Sequence, residues 1–315
     1  MFRIDDERFG KFTRLKLVDT NSKEYVSIIP EFGANVNEIV LSKKSICYSI
    51  LDGAKNYSEL IKNEWYKGAK LIPFPNRIRD GKYTFNRRSY KLPINFPSQK
   101  HAIHGLLYDR KFTVKERTVS KGSSSILLEH LYLGGTDGYP FRFKVQIKFA
   151  LSANGFECST IIKNEASTRI PIGDGWHPYF RVKGRIDDLL LRIPSTQQIE
   201  VDSRMIPTGG LKPFEKFSSL SRIGDEKIDA GFRLRKGKGL ARTELLDQEH
   251  DLKITVWQET GEMKYNYVQI FSPPSRDSIA IEPMTCNINA FNNGEGLIVL
   301  RPKSIFNATY GVRLE

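Results

Sequence analysis

Apolar and polar residues alternate with a period of two along most of the chain, in short runs broken by clusters of Gly, Pro, Asn and Ser. The run FKVQIKFAL (143–151) puts Phe143, Val145, Ile147, Phe149 and Leu151 on one face. The turn Ser152-Ala153-Asn154-Gly155 then leads into FECSTII, so the pattern predicts a β-hairpin. The same reading predicts strands at 25–29, 125–133, 252–257, 267–272, 278–282 and 297–302, with SKGSSS (120–125) as a hairpin turn. No segment of helical period and comparable length competes with them. Many strands must stack or close their sheets to hide their edges, so the expected fold is all-β, a large antiparallel β-sandwich with few short helices. Neither an internal repeat nor a long linker divides the chain, and one domain over residues 1–315 is expected.

Composition narrows the class. With 315 residues, 39% of them hydrophobic, the chain can bury a sizeable core. Cys47, Cys158 and Cys286 are widely spaced and odd in number, which argues for reduced thiols, mostly in the core, and against a disulfide framework or a CxxC metal site. The N-terminal MFRIDDERFGKF carries charges where a signal peptide needs its apolar run, and no later stretch reaches about 18 consecutive apolar residues. A cytoplasmic location without membrane contact is expected. Forty-nine basic against 36 acidic residues give a formal net charge of +13, which raises nucleic acid as a partner. The acidic residues are interspersed, however, and the densest basic runs, 77–91 and 233–242, carry no helix-turn-helix, zinc-finger or RNP pattern. No nucleic-acid partner is expected. The excess reads as a basic surface, with a pocket for an anionic substrate as the alternative.

Several residues stand out as candidates for chemistry. His177 lies in GDGWHPYF, where Pro178 limits the backbone and Trp176 and Tyr179 can wall a pocket. Only one of two such neighbours faces the same way as the histidine, and the sequence leaves open which. His104, in HAIHGLLYDR, precedes Gly105, which allows close approach of a backbone or ligand, with His101 and Asp109 as local partners. Glu282 closes the apolar run SIAIE before Pro283, which is expected to stop the strand there; partial desolvation at such a place raises a carboxylate's pKa and suits it to act as a base. Arg77 follows two prolines and an asparagine, so its planar fork of donors is aimed by a rigid loop. Asp229, in KIDAGFRL, is a loop acceptor. Each of these also has a structural reading, as a bonded core histidine or a surface ion pair. No HExxH, Cys pair, GxSxG elbow or Walker loop occurs, so neither a metal nor a cofactor is expected.

Together these segments resemble the aldose 1-epimerase (galactose mutarotase) family from about residue 24 to the C-terminus. The landmarks run in order: IIPEFGANVNEIVL, PNRIRDGKYTFN, HGLLYDRKF, WHPYF, VDSRMIPTGGL, KIDAGFRL and IAIEPMTCNINAFNNGEGLIVLRP. The resemblance implies a galactose mutarotase-like supersandwich and an enzyme that interconverts the α and β anomers of a hexose. It implies Glu282 as general base, His177 as acid, His104 as a hydrogen-bond partner near the ring oxygen, and Arg77 and Asp229 as residues that orient hydroxyls. Ring opening needs one proton taken from the C1 hydroxyl and one delivered to the ring oxygen, which leads us to expect the two groups on opposite sides of the C1–O5 bond. The partner expected is a monosaccharide or a sugar phosphate. Galactose-specific members usually carry a serine after the second histidine, and here WHPYF follows a broader branch. Hexose-6-phosphate 1-epimerases share the fold, and Arg79, Arg87, Arg88 and the 233–242 run are the residues available for a phosphate. A non-catalytic carbohydrate-binding or regulatory protein on the same fold is the remaining alternative.

Overall fold

The computed structural model describes residues 1–234 and 237–315, so Arg235 and Lys236 of the basic 233–242 run lie outside the described residues. Among the described residues three large antiparallel sheets carry the molecule. The first is a five-stranded meander, Phe2–Phe9 through Ile46–Ser49, each strand paired with the next in sequence. A nine-stranded sheet contains the hairpin read from the sequence: Phe143–Ser152 pairs with Gly155–Asn164 in unbroken register, Phe149 opposite Cys158. Its alternation is the burial pattern itself, with Phe143, Val145, Ile147, Phe149 and Leu151 all buried. The other strands expected at 25–29, 125–133, 252–257, 267–272, 278–282 and 297–302 all form, with ends shifted by a few residues, and residues 120–122 turn from Thr113–Val119, a strand not read from the sequence, into Ser123–Tyr132.

A six-stranded sheet carries Tyr179, Asp229, Gln269 and Glu282, and in it Ile279–Met284 lies between Tyr179–Phe180 and Tyr267–Phe271. Pro283 does not end that strand. It pairs in register with Val268, and the ladder runs on to Met284 opposite Tyr267. A proline fits a ladder where its missing N–H faces no partner. Tyr179–Phe180 flanks the strand at Ala280 and Ile279 and Gly175 bridges Met284, while Trp176–His177 between them pairs with Ala69–Lys70. The two helices, Tyr57–Lys62 and Ala290–Asn293, are short connectors. One hydrophobic cluster, from Phe2 to Val312, draws on all three sheets, and the fold is an antiparallel β-sandwich. Cys158 and Cys286 are buried free thiols within it, whereas Cys47 is exposed.

One ion pair lies inside the core. Lys70 Nζ is 2.8 Å from Asp174 Oδ1 with both side chains fully buried. Tyr265 donates to Asp174 Oδ2 at 2.6 Å, Lys70 donates to Thr160 Oγ1 at 3.1 Å, and Thr285 Oγ1 accepts from the Asp174 amide. Nothing in the sequence pattern singled out these two residues. Lys70 is the register partner of Trp176, so the pair braces the backbone that carries His177. Breaking a buried pair leaves an uncompensated charge, which typically costs about 3–5 kcal/mol. Asp174→Asn is therefore expected to lose about that much unfolding free energy in urea titrations. The double variant Lys70→Met, Asp174→Leu should recover most of it; a single variant as stable as the wild type would show that the buried pair contributes nothing to stability.

Candidate active site

Segments distant in sequence, carrying Arg77, His104, His177, Asp229, Gln269 and Glu282, meet beside the six-stranded sheet. Arg77 lies in the two-residue strand Arg77–Ile78, paired with Ala102–Ile103, which sets Arg77 opposite Ile103 and brings His104 alongside. Asn76 joins the two: its carbonyl accepts from the His104 amide at 3.0 Å, and its side-chain Oδ1 accepts from Arg77 N at 2.9 Å and Nη1 at 3.0 Å. Gln99 Oε1 takes Arg77 Nε at 3.0 Å, and the Arg77 carbonyl accepts from the Asn289 amide at 2.8 Å. The guanidinium thus has two of its edges fixed by neutral acceptors, and its Nη2 stands 3.9 Å from Asp229 Oδ2.

His104 has a φ of 62° and Gly105 a φ of 78°, a tight left-handed turn. A Cβ on Gly105 would lie 2.3 Å from the Ile72 carbonyl oxygen, so only glycine lets this loop sit against its neighbour. The partners of the His104 ring are not His101 or Asp109. His101 is engaged by the Asp80 amide and by Arg204, and Asp109 pairs with Arg110. Tyr66 packs on the His104 ring at 4.7 Å between centroids, and the edge of His177 meets it at 5.0 Å.

Strand alternation decides between the two aromatic neighbours of His177. Trp176 points into the core, fully buried, stacked on Tyr310 at 5.1 Å with its Nε1 donating to the Gly68 carbonyl at 3.3 Å. It therefore lies away from the pocket, contrary to its place among the expected sugar contacts. Tyr179, two residues past the histidine, stacks on the His177 ring at 5.1 Å and 18°. His177 Nε2 stands 3.4 Å from Glu282 Oε1. The acid and base expected on opposite sides of a C1–O5 bond lie side by side. That placement suits two oxygens bonded to one carbon, as the C1 hydroxyl and ring oxygen are.

Glu282 faces Gln269 across the ladder, and Gln269 Nε2 donates to Asp229 Oδ1 at 2.7 Å. Sequence reasoning missed Gln269, Asn76, Gln99 and Tyr66. Only Gln269 carried a legible signal, as the one polar residue inside the apolar strand Tyr267–Phe271. Glu282, His177 and His104 are all buried, yet Glu282 Oε2, His177 Nδ1, His104 Nδ1 and Gln269 Oε1 have no hydrogen-bond partner among the described residues. Four orphaned polar atoms from four segments, in one place, mark a site built for a polar ligand.

Electrostatics follow from this burial. Desolvation, reinforced by the Asp229 carboxylate, pushes Glu282 well above the usual carboxylate range, and Arg77 only partly opposes it. Burial pulls the His177 imidazole down to about 3. His104 is also driven well below its usual value, by burial first and then by His177 and Arg77. Asp229 is raised by its packed surroundings, with Arg77 and the Gln269 hydrogen bond pulling the other way. Both shifts run toward the neutral forms, a Glu282 carboxyl and a His177 imidazole, which together carry one proton. Among the described residues no group of three or more His, Cys, Asp or Glu side chains is placed to share a metal ion.

The family model described as aldose 1-epimerase matches residues 16–313. The chain belongs to the aldose 1-epimerase family. It is 32% identical over 256 residues to the uncharacterized protein YihR of Escherichia coli (strain K12), covering 78% of this chain and 79% of that one. It is 30% identical over 154 residues to a galactose mutarotase of Rattus norvegicus, a match that covers 48% of this chain and 43% of the relative. Among solved structures, a galactose mutarotase-like protein from Clostridium acetobutylicum has a TM-score of 0.87 at 21% identity, over 100% of this chain and 98% of that one. Galactose 1-epimerase from Lactobacillus acidophilus NCFM has a TM-score of 0.82 at 16% identity, over 100% and 98% respectively. At these identities the structural likeness is one of fold.

Proposed function

We propose that the chain, folded as one domain over residues 1–315 and working in the cytoplasm, is an aldose 1-epimerase that interconverts the α and β anomers of a free hexose. The observation that carries this reading is the contact of Glu282 with His177 at 3.4 Å, both buried and each with an unpartnered polar atom. In the proposed reaction the Glu282 carboxylate takes the proton of the C1 hydroxyl while protonated His177 delivers one to the ring oxygen. The C1–O5 bond breaks as the C1 carbonyl forms. Rotation about C1–C2 exposes the other carbonyl face, and closure returns both protons along the same paths. Arg77 and Asp229 orient hydroxyls, His104 supports the ring oxygen, and Tyr179 backs His177. No redox change or activated leaving group is involved, so the residues named complete the chemistry. A pure binding module would need the hydroxyl contacts but not an adjacent acid and base.

A 6-phosphate substrate gains no support from Arg79, Arg87 and Arg88. Arg79 is ion-paired with Asp202, and Arg87 and Arg88 lie on the exposed hairpin Lys82–Lys91. Polarimetry on freshly dissolved α-glucose, α-galactose and their 6-phosphates tests the proposal. Faster relaxation with a free hexose is expected; folded protein that leaves all four at the rate in water would return the chain to the binding-protein reading.

The pH dependence follows from the single shared proton. The productive form, carboxylate plus imidazolium, and the resting form, carboxyl plus imidazole, contain the same number of protons. The rate is therefore expected to stay flat between about 3, where His177 also takes up a proton, and the raised value of Glu282. Above that value the pair loses its only proton and the rate falls. A kcat profile that instead falls as pH rises above 6.5 would show that His177 titrates independently of Glu282.

A further inference from the structure

The segment VDSRMIPTGGL takes no part in the chemistry proposed above, yet its loop 202–206, between the strands Gln197–Val201 and Pro207–Pro213, is stitched to the neighbourhood of Arg77. We propose that Arg204 is a positioning residue that aims the Arg77 guanidinium, acting through Gln99. The inference rests on the reading of Arg77 as a residue that orients hydroxyls, and adds a remote part to the machinery behind it.

The path of contacts is short. Arg77 Nε donates to Gln99 Oε1 at 3.0 Å, and the Gln99 carbonyl accepts from Arg204 Nη2 at 2.8 Å. Gln99 is half-buried in a surface turn in which the Lys100 amide donates to the Pro97 carbonyl at 3.1 Å. Left to that turn alone, the side-chain amide would change rotamer and drift with the loop, and Arg77 would lose its aim. The Arg204 bond holds the backbone from which the amide springs. Arg204 Nη2 carries two hydrogens and meets two acceptors, the Gln99 carbonyl and Asp80 Oδ1 at 2.6 Å. Asp80 follows Arg77 by three residues, so one nitrogen ties the turn that carries Gln99 to the segment that carries Arg77.

Arg204 is itself held at both backbone groups. Its amide donates to Asp202 Oδ1 at 2.9 Å, and its carbonyl accepts from His101 Nε2 at 3.2 Å. His101 is fully buried, and its Nδ1 accepts from the Asp80 amide at 3.2 Å, which puts the ring proton on Nε2 and fixes the direction of the Arg204 bond. Asp202 also accepts from the Ile206 amide at 3.0 Å and pairs with Arg79. Phe96 and His101 exchange backbone hydrogen bonds at 3.1 and 3.2 Å, closing the turn of Gln99, and the Phe96 ring lies 5.7 Å from the Arg77 guanidinium carbon. A half-exposed ion pair that served stability alone contributes little and needs no such frame. The frame makes sense as a way to keep one acceptor still, since small misplacements in a binding constellation cost rate and affinity.

The test is a double-variant cycle on the hexose that the wild type turns over fastest. Arg204→Met keeps the bulk of the side chain and removes its donors. It is expected to raise KM about 10-fold, the loss of one charge-assisted hydrogen bond's worth of alignment, with kcat little changed because Asn76 still holds the other edge of Arg77. Gln99→Ala keeps the carbonyl that Arg204 holds and removes only the link to Arg77. In that background Arg204→Met should raise KM no further, whereas an equal loss in both backgrounds would make Arg204 merely structural and overturn the proposal. A folded Arg204→Met protein with the wild-type KM would overturn it as well. Solvent exchange of the Arg77 Nε–H, followed by NMR, separates this from a failure of the epimerase reading, because it needs no turnover. Faster exchange in Arg204→Met supports the proposal even in a protein that leaves every sugar at its rate in water, and unchanged exchange overturns it. Should Arg204→Met not fold, Arg204→Lys, whose shorter chain keeps the charge beside Asp80 but withdraws from the Gln99 carbonyl, takes its place in both measurements.

Discussion

Glu282→Gln is expected to lower kcat by about 10²–10⁴-fold, the usual contribution of a positioned general base, with KM little changed. The amide keeps the shape of the carboxyl and its place opposite Gln269, but it cannot accept the C1 proton. Stability should move the other way. The folded carboxyl sits well above its ordinary 4.5, so its contribution is fully present below 4.5 and is lost as pH rises toward the folded value. Glutamine does not ionise and escapes that loss. At neutral pH the variant is therefore expected to unfold at a higher temperature than the wild type while turning over far more slowly. An inactive variant that is also unstable would point to a structural glutamate.

His177→Asn is expected to cost about 10²–10⁴-fold in kcat as well, for loss of the acid that serves the ring oxygen. Its stability signature has the opposite pH sense to that of Glu282. The imidazole is depressed from 6.5 to about 3, so its contribution is present above 6.5 and disappears as pH falls toward 3. Thermal unfolding of the wild type should weaken between neutral pH and pH about 4 by more than that of His177→Asn, because asparagine takes up no proton in the unfolded chain. Equal pH dependence in both proteins, together with full activity per folded molecule, would make His177 a structural residue.

Much of the sheet architecture was legible because period-two patterning is local. Phe143 to Leu151 declare their face without reference to anything else in the chain. The candidate residues were legible one by one, through odd local settings such as HG, WHPYF and EP, and the structure gathers Arg77, His104, His177, Asp229 and Glu282 as a group. What could not be read was direction and distance. The inward turn of Trp176 and outward turn of Tyr179 depend on which face of the strand meets the core. The course of the strand through Pro283 depends on Met284 pairing with Tyr267 on one side and bridging Gly175 on the other, the latter a contact more than 100 residues apart in sequence. The Lys70–Asp174 pair was invisible for the same reason. Each residue alone looks like an ordinary surface charge, and only the tertiary fold buries them together.

The most direct test of the proposed chemistry is exchange NMR on equilibrated glucose and galactose anomers, with wild type and Glu282→Gln at equal concentrations of folded protein. The account predicts α–β exchange cross-peaks that grow with wild-type concentration for at least one of the sugars and are lost with the variant. Exchange catalysed equally by both proteins would contradict the role given to Glu282, and exchange in neither would contradict the proposed reaction on these sugars.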